Sequence, residues 1–229
     1  MLYCYVKTIP TKKARINFRF FSYGLTALGV FFIGNAVFPI LMYQLKSFRF
    51  FQGVLVSPVE SSYNNYNDYN SYNNYKNWFS VAPTLLTHES KITHYNISIP
   101  KLKIENAVVA IGGEDLSESL IQYPGTALPG EYGNTVIFGH SVLPQFYNPK
   151  KYKTIFSTLP TLKEGDEIFV DFDGIRYRYV VIKMVEVSPD DISVLEQHYD
   201  GEYLSLVTCV PPGTYLRRLI VKAKLVKPS

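Results

Sequence analysis

Cysteine is scarce in this chain, because Cys4 and Cys209 are the only two among 229 residues. Two thiols are too few for a disulfide scaffold or for a four-ligand zinc site. Neither kind of cross-link can therefore explain the fold. We expect an apolar core to hold the folded part together.

Acidic residues are absent from the first part of the chain. Residues 1–49 contain seven lysines and arginines, whereas the first carboxylate is that of Glu60. The rest of the chain has sixteen basic and nineteen acidic residues, so its net charge is −3 although the whole chain carries +4. A nucleic-acid-binding domain concentrates basic residues on its folded part. This distribution excludes a nucleic-acid binder.

Residues 20–45 contain no charged side chain and consist mainly of Phe, Leu, Ile, Val, Ala and Gly. As a helix they would extend about 39 Å, enough to cross a hydrocarbon core of about 30 Å. A cleaved signal peptide would have a shorter apolar region and a small-residue cleavage site, and neither is evident. Five basic residues precede the segment and two follow it. We predict one membrane-spanning helix with residues 1–19 in the cytoplasm and the remainder exported.

A polar segment follows the predicted membrane helix. Residues 61–77 are almost entirely Asn, Tyr and Ser, so they lack the aliphatic side chains needed to offset the entropy of ordering the chain. We assign residues 46–93 to an extracellular juxtamembrane segment and a disordered tether.

Residues 94–229 are predicted to form an all-β domain. Short runs rich in Val, Ile, Tyr and Phe alternate there with Gly, Pro, Asn and Asp. Seven or eight such runs predict a closed barrel or a sandwich. The Asp173–Gly174 pair predicts a hairpin. The candidate strands are residues 97–104, 107–111, 134–138, 166–172, 175–187, 203–208 and 218–226, and short helical stretches are predicted at 115–122, 151–158 and 190–197.

The first candidate site residue is Cys209, at the end of a predicted strand that Pro211 and Pro212 stop. We expect its thiol to lie beside a loop, where substrate can reach it. The next strand opens with Arg217 and Arg218, and pairing of the two strands would bring a guanidinium near the sulfur. Such a cation favours the thiolate and stabilises an oxyanion. A buried structural cysteine beside two surface arginines explains the same spacing.

The second candidate is His140, which follows a strand within Gly139-His140-Ser141. A histidine just past a strand end is well placed to act as an acid or a base. A purely structural histidine is the alternative, and spacing alone does not bring His140 near Cys209. The other three histidines are weaker candidates, because His88 and His94 lie in or near the tether and His198 lies in a polar loop.

Four blocks follow one another along residues 96–226: TALPGEYGNTVIFGHS, LKEGDEIFV, Val-x-Pro-x-Asp at 187–191, and SLVTCVPPGTYLRRLIV. In this order they resemble the sortase family of bacterial cysteine transpeptidases. The resemblance implies an eight-stranded barrel, and the predicted anchor and tether match the usual sortase layout. The short loop before Arg217 is more like the pilin-type and housekeeping-like classes, although the tether lacks the Asp-Pro-aromatic motif of some pilin polymerases.

The resemblance also implies roles for individual residues. His140 matches the family histidine and Cys209 the nucleophile, while Arg218 fits the family arginine better than Arg217 because that strand typically opens Arg-Leu-hydrophobic-Val. Thr208 matches a position implicated in substrate contact. We expect Ser141, next to His140, to contact substrate as well.

The activity implied by the resemblance is cleavage of a sorting signal related to Leu-Pro-x-Thr-Gly through a cysteine thioester, without a cofactor or metal. The expected partners are secreted or membrane proteins with a C-terminal sorting signal, and an amine acceptor that is a cell-wall precursor or a pilin lysine. Two alternatives stay open. The chain could be a membrane-tethered cysteine peptidase that resolves the thioester with water, or a non-catalytic β module that binds at the cell surface.

Overall fold

A computed structural model of the chain describes residues 12–50, Asn74, Trp78 and residues 91–226. The chain divides into two compact units at Met42. Helix α1 extends over Lys12–Phe50, and its segment Phe20–Leu45, with a mean hydropathy of 2.0, is long and apolar enough to cross a membrane. Within it the Asn35 side chain donates to the carbonyl of Phe31 at 3.2 Å, so its polar group is satisfied by the helix itself.

The second unit contains a closed barrel of eight strands, which confirms the predicted all-β architecture. The strands follow the order β1-β2-β3-β4-β7-β8-β6-β5 around the barrel. The β2–β3 and β4–β7 pairs are parallel, and the other pairs are antiparallel. The strands are β1 (His94–Ile99), β2 (Ile104–Ile111), β3 (Leu120–Gln122), β4 (Gly133–Phe138), β5 (Glu167–Phe172), β6 (Ile175–Val187), β7 (Glu202–Val210) and β8 (Arg217–Leu225).

Apolar side chains are buried on both faces of one part of this barrel. Because successive side chains of a strand point to opposite faces, β7 sends Leu204 and Leu206 into the interior and Val207 and Cys209 outward. The outward-facing cluster is closed by residues from the loops around it. Its members are Trp78, Leu116, Ile121, Tyr123, Val136, Phe138, Val194, Leu195, Val207 and Cys209. We call this set the outer apolar cluster.

The predicted strand over 97–104 is interrupted in the structure. A 3₁₀ turn over Pro100–Leu102 separates β1 from β2, and Lys103 adopts a φ of 56°. Proline at the start of this turn has no N–H to give to a sheet partner, which explains why the strand stops there.

The three predicted helical stretches are wrong in extent. In the stretch predicted over 115–122, residues 120–122 form β3. Residues 151–158 form turns without a helix. In the stretch predicted over 190–197, only Ser193–Leu195 is helical, as a 3₁₀ turn. Side chains compete with helix formation here: the carboxylates of Asp115 and Asp191 accept bonds from the backbone N–H two residues later. Two further 3₁₀ turns lie at Pro144–Phe146 and Leu159–Thr161.

The hairpin predicted at Asp173–Gly174 is confirmed and joins β5 to β6. The φ angles of the two residues are 50° and 72°. Positive φ at both central positions is the requirement of a type I′ turn, which matches the twist of the flanking strands.

Candidate active site

Strands β7 and β8 place Cys209 directly opposite Arg218. Directly opposed residues share a face, with their Cβ atoms about 4.5–5.5 Å apart. Arg217 is opposed to Val210, on the other face, and its Nε lies 3.9 Å from Oε2 of Glu186. Strand alternation therefore places Arg218 on the same face as the Cys209 sulfur and Arg217 on the opposite face, near the Glu186 carboxylate.

His140 reaches the same end of the barrel through the parallel pairing of β4 with β7. Phe138 is opposed to Val207, and the Gly139 N–H donates to the Val207 carbonyl at 3.1 Å. A Cβ on Gly139 would lie 2.4 Å from a ring carbon of Phe156 and 2.6 Å from a methyl of Leu120. Only glycine allows the backbone to lie this close to the core just before His140.

Two hydroxyls tie the segment after β4 to the end of β7. The Ser141 Oγ donates to the Cys209 carbonyl at 2.6 Å, and the Thr208 Oγ1 donates to the Gly139 carbonyl at 2.8 Å. The first bond joins Ser141, the neighbour of His140, to Cys209, and the second joins Thr208, the neighbour of Cys209, to Gly139. Together they fix the backbone of His140 relative to that of Cys209. Substrate contact by Ser141 and Thr208 stays a prediction.

Thr208→Val is expected to lower kcat about tenfold. Valine has nearly the same shape, so the change removes the bond to the Gly139 carbonyl, and loss of a buried hydrogen bond costs about 1–3 kcal/mol. Thr161→Val is the matched control, because that hydroxyl donates to the Thr158 carbonyl at an exposed turn. Steady-state kinetics on both variants tests this. An unchanged kcat would contradict the role of the bond to Gly139, and a rise in KM beside the fall in kcat would support the predicted substrate contact of Thr208.

Burial sets the protonation of both reactive groups. The Cys209 side chain is almost fully buried, which raises the pKa of the thiol, and the Arg218 charge opposes this shift. Burial lowers the pKa of His140 to about 4, against the attraction of Asp115 and with the repulsion of Lys153. At neutral pH both groups are therefore mainly uncharged, and the thiolate–imidazolium pair is a minor form.

Arg218 is buried, with 5 % of its surface exposed. Its Nη1 donates to the Tyr215 carbonyl at 3.3 Å and its Nη2 to the Trp78 carbonyl at 3.4 Å. Its Nε is buried and has no hydrogen-bond partner among the residues that the structure describes. A buried donor without an acceptor is costly, so this N–H is suited to an oxygen that arrives with substrate.

Trp78 is a residue of the site that the sequence prediction missed. Its ring packs edge-on against Phe138 at 5.5 Å between centroids and lies 5.9 Å from the ring of His140. The Cζ atom of Arg218 lies 5.2 Å from the centroid of the indole. Most of the predicted tether lies outside the described residues. The available signal was the one tryptophan of the sequence, which directly follows the polar run 61–77.

The other described histidines lie elsewhere. His94 belongs to β1 and contacts the Thr93 hydroxyl, and the exposed His198 lies 3.8 Å from the Glu196 carboxylate. His88 lies outside the described residues. Across the parts of the chain that the structure describes, no cluster of three or more His, Cys, Asp or Glu side chains could hold a metal ion.

Comparison with known proteins identifies relatives of the barrel. The family model "Sortase domain" matches residues 97–226. Sortase A of Bacillus anthracis is 31% identical over 133 residues, which cover 57% of this chain and 58% of that protein. Sortase D of Bacillus subtilis (strain 168) is 27% identical over 134 residues, covering 57% of this chain and 62% of that protein. This chain thus spans less than two thirds of the length of either relative.

A solved structure shares the fold as well as the sequence pattern. The Clostridium perfringens Sortase D5 transpeptidase superposes with a TM-score of 0.51 at 30% identity, over 61% of this chain and 82% of that one.

Proposed function

Because the chain belongs to the sortase family, whose members are cell-wall cysteine transpeptidases, we propose that it cleaves a sorting signal related to Leu-Pro-x-Thr-Gly and transfers the acyl group to an amine. The observation that carries the proposal is the opposition of Cys209 and Arg218 across β7 and β8, with His140 held beside them. These residues supply a nucleophile, an oxyanion donor and a proton carrier at one end of the barrel.

Acylation begins with attack of the Cys209 thiolate on the carbonyl carbon of the threonine in the signal. The carbonyl oxygen becomes an oxyanion. The Nε–H of Arg218, which has no acceptor among the described residues, donates to it together with a backbone N–H. The C–N bond then breaks, and the departing amine takes a proton from His140. A thioester on Cys209 and a free amine are the products of this half-reaction.

The second half-reaction reverses these roles. An acceptor amine gives a proton to neutral His140 and attacks the thioester carbon, and the Cys209 thiolate leaves as the new amide forms. The bond energy of the cleaved peptide is kept in the thioester, so neither ATP nor a metal is required.

The pKa shifts suit this chemistry although they make the reactive form scarce. A thiolate whose conjugate acid has a raised pKa is the stronger nucleophile, because nucleophilicity falls as thiol pKa falls. An imidazolium with a pKa of about 4 is a strong acid toward a departing amine. A small population of the charged pair is therefore highly reactive.

Helix α1 provides the proposed membrane anchor, with the N-terminus in the cytoplasm and the barrel outside the cell. The proposed donors are secreted or membrane proteins with a C-terminal sorting signal. The proposed acceptor is an amine of a cell-wall precursor or a pilin lysine.

A product analysis tests this function. The full chain in detergent micelles is incubated with a panel of Leu-Pro-x-Thr-Gly-type peptides, with and without a glycine-based or lysine-based amine, and the products are weighed. We expect an amine-linked product to replace the hydrolysis product when amine is present. If hydrolysis product alone forms even when amine is present, the chain is a peptidase. If no peptide of the panel is cleaved, the non-catalytic module is favoured.

A further inference from the structure

Three lysines lie together on the outer surface of strands β6 and β8. Lys183 is directly opposed to Lys222 across the two strands, and Lys224 lies two residues further along β8. Strand alternation places Lys222 and Lys224 on the outer face, because Ala223 between them belongs to the interior core. Lys183 and Lys224 are exposed, and Lys222 is half-buried. We call these three residues the lysine cluster.

The lysine cluster forms no ion pair with a carboxylate of the residues that the structure describes. The arginines of the same strand β6 are placed differently. The Nε of Arg176 lies 2.7 Å from Oδ1 of Asp171 on β5. The Nη1 of Arg178 lies 2.8 Å from Oε1 of Glu167, also on β5. Like charges directly opposed on antiparallel strands are destabilising, so sheet stability does not explain the lysine cluster.

The ring of Tyr203 on β7 holds two of these lysines at one place. The Nζ of Lys222 lies 4.4 Å from the ring centroid, and that of Lys224 lies 5.6 Å from it. The Tyr203 hydroxyl donates to Oδ2 of Asp200 at 3.4 Å. A cation–π contact attracts an ammonium group without neutralising it, and the ammonium keeps its N–H donors. Tyr203 therefore gathers two positive charges that an anion can still bind.

The lysine cluster lies on the same strand face as the reactive arginine. Lys222 and Lys224 follow Arg218 on β8 by four and six residues, which corresponds to about 13 Å and about 20 Å along an extended strand. Ile220, between them on this face, packs against the outer apolar cluster that contains Cys209. An extended molecule lying along β8 could therefore present one end to the thioester on Cys209 and the other end to the lysines.

We propose that the lysine cluster is a docking surface for the amine acceptor and binds phosphate groups of that acceptor. The proposal rests on the transpeptidase function proposed above. A phosphate group concentrates negative charge on oxygens that accept strong hydrogen bonds from ammonium groups, and lysine binds it as a compact point charge. Of the two acceptors proposed above, the lysine cluster selects a cell-wall precursor in a phosphate-linked form over a pilin lysine.

Acceptor probes that differ in one group test this docking. Each probe is a glycine-based or lysine-based amine followed by a linker of five residues, about 17 Å when extended, and ends in serine amide or phosphoserine amide. The full chain in detergent micelles receives a sorting peptide and one probe, and the KM for the probe is measured from the rate of amine-linked product. The phosphoserine probe is expected to have a KM about tenfold lower than the serine probe, because exposed ion pairs are individually weak and three act together.

A triple variant assigns this preference to the lysine cluster. Lys183→Gln, Lys222→Gln and Lys224→Gln together are expected to make the KM values of the two probes equal. The matched control removes the same charge from three exposed lysines elsewhere in the second unit and is expected to keep the preference. Its substitutions are Lys103→Gln, Lys150→Gln and Lys163→Gln. Circular dichroism and thermal melting establish that both triple variants keep the barrel.

Ionic strength gives a second measurement of the same contact. Raising it from about 0.1 M to about 1 M shortens the Debye length from about 10 Å to about 3 Å, so the preference for the phosphoserine probe is expected to fall. Equal KM values for the two probes in the unsubstituted protein would overturn the proposal, as would a preference that survives in the lysine-cluster variant.

A third probe tests an acidic protein surface as the partner instead of phosphate. It has the same amine and linker and ends in two glutamates. A KM for this probe as low as that for the phosphoserine probe would overturn the choice of a phosphate-bearing acceptor and favour a pilin protein. A KM close to that of the serine probe would support phosphate.

Direct binding separates the docking surface from the function on which it rests. The anisotropy of a fluorescently labelled phosphoserine probe reports binding to the full chain without any reaction. Amine-linked product formed with equal KM values for all probes would reject the docking surface and leave the transpeptidase intact. Binding that the lysine-cluster variant abolishes, without product from any peptide and amine, would keep the phosphate site and reject the transpeptidase.

Discussion

Replacing Cys209 with alanine is expected to lower the rate of sorting-peptide cleavage by about 10⁴-fold or more and to remove the acyl-enzyme completely, because a nucleophile knockout leaves only binding and oxyanion stabilisation. The sulfur is the atom to which the acyl group is transferred, and no other described residue supplies a thiol. The measurement is the rate of product formation by mass spectrometry at saturating peptide.

The chain provides a matched control for this change. Cys4 is the only other cysteine and lies in the N-terminal segment, so Cys4→Ala is expected to leave the rate unchanged. Cleavage by Cys209→Ala at more than a few per cent of the original rate would show that another group is the nucleophile.

Arg218→Ala is expected to lower kcat/KM by about 10²–10³, or about 2.7–4 kcal/mol of barrier, the loss measured when one oxyanion donor is removed from other enzymes. Its guanidinium is opposed to Cys209, is nearly free of solvent contact and keeps one N–H without an acceptor among the described residues. An oxyanion formed on the acyl group would satisfy that N–H. Arg218→Lys is expected to recover part of the loss, because it keeps the charge without the planar fork.

A variant of the neighbouring arginine, Arg217, is the control that distinguishes oxyanion stabilisation by Arg218 from a general effect of losing a positive charge. Arg217→Ala removes the same charge one position earlier, where the side chain faces Glu186 instead of Cys209. It is expected to change kcat/KM by less than about threefold, although loss of a partner for the buried Glu186 lowers stability. Thermal melting gives the stability of each variant, and kcat/KM is compared only between folded proteins. Full activity of Arg218→Ala beside loss in Arg217→Ala would reverse the assignment.

The strands were predictable where their side chains alternate over a long run. The predicted strand 175–187 coincides with β6. Strict alternation along β7 likewise accounts for the burial of Cys209 and Leu204 on opposite faces. The choice of Arg218 over Arg217 came from the family resemblance, and the antiparallel register of β7 and β8 opposes Arg218 to Cys209 and Arg217 to Val210.

The proximity of His140 to Cys209 was not predictable from pattern alone. It depends on the parallel pairing of β4 with β7, strands separated by more than sixty residues, and hydrophobic alternation does not state which strands pair. Only the family resemblance suggested it. The three-residue strand β3 is too short to show a period, and the sequence around it predicts a helix over 115–122 instead. Trp78 precedes His140 by more than sixty residues in the sequence, so its position in the site depends on tertiary contacts that local reasoning does not reach.

The most direct test is whether an acyl group becomes attached to Cys209. The full chain is mixed with a Leu-Pro-x-Thr-Gly-type peptide without amine, quenched in acid within the first turnovers and weighed intact, and the modified residue is located by digestion. We predict an added mass equal to the part of the peptide before the cleaved bond, located on Cys209 and lost when amine is added before the quench. Folded protein that cleaves the peptide at the expected bond yet never carries that mass on Cys209 would contradict the mechanism.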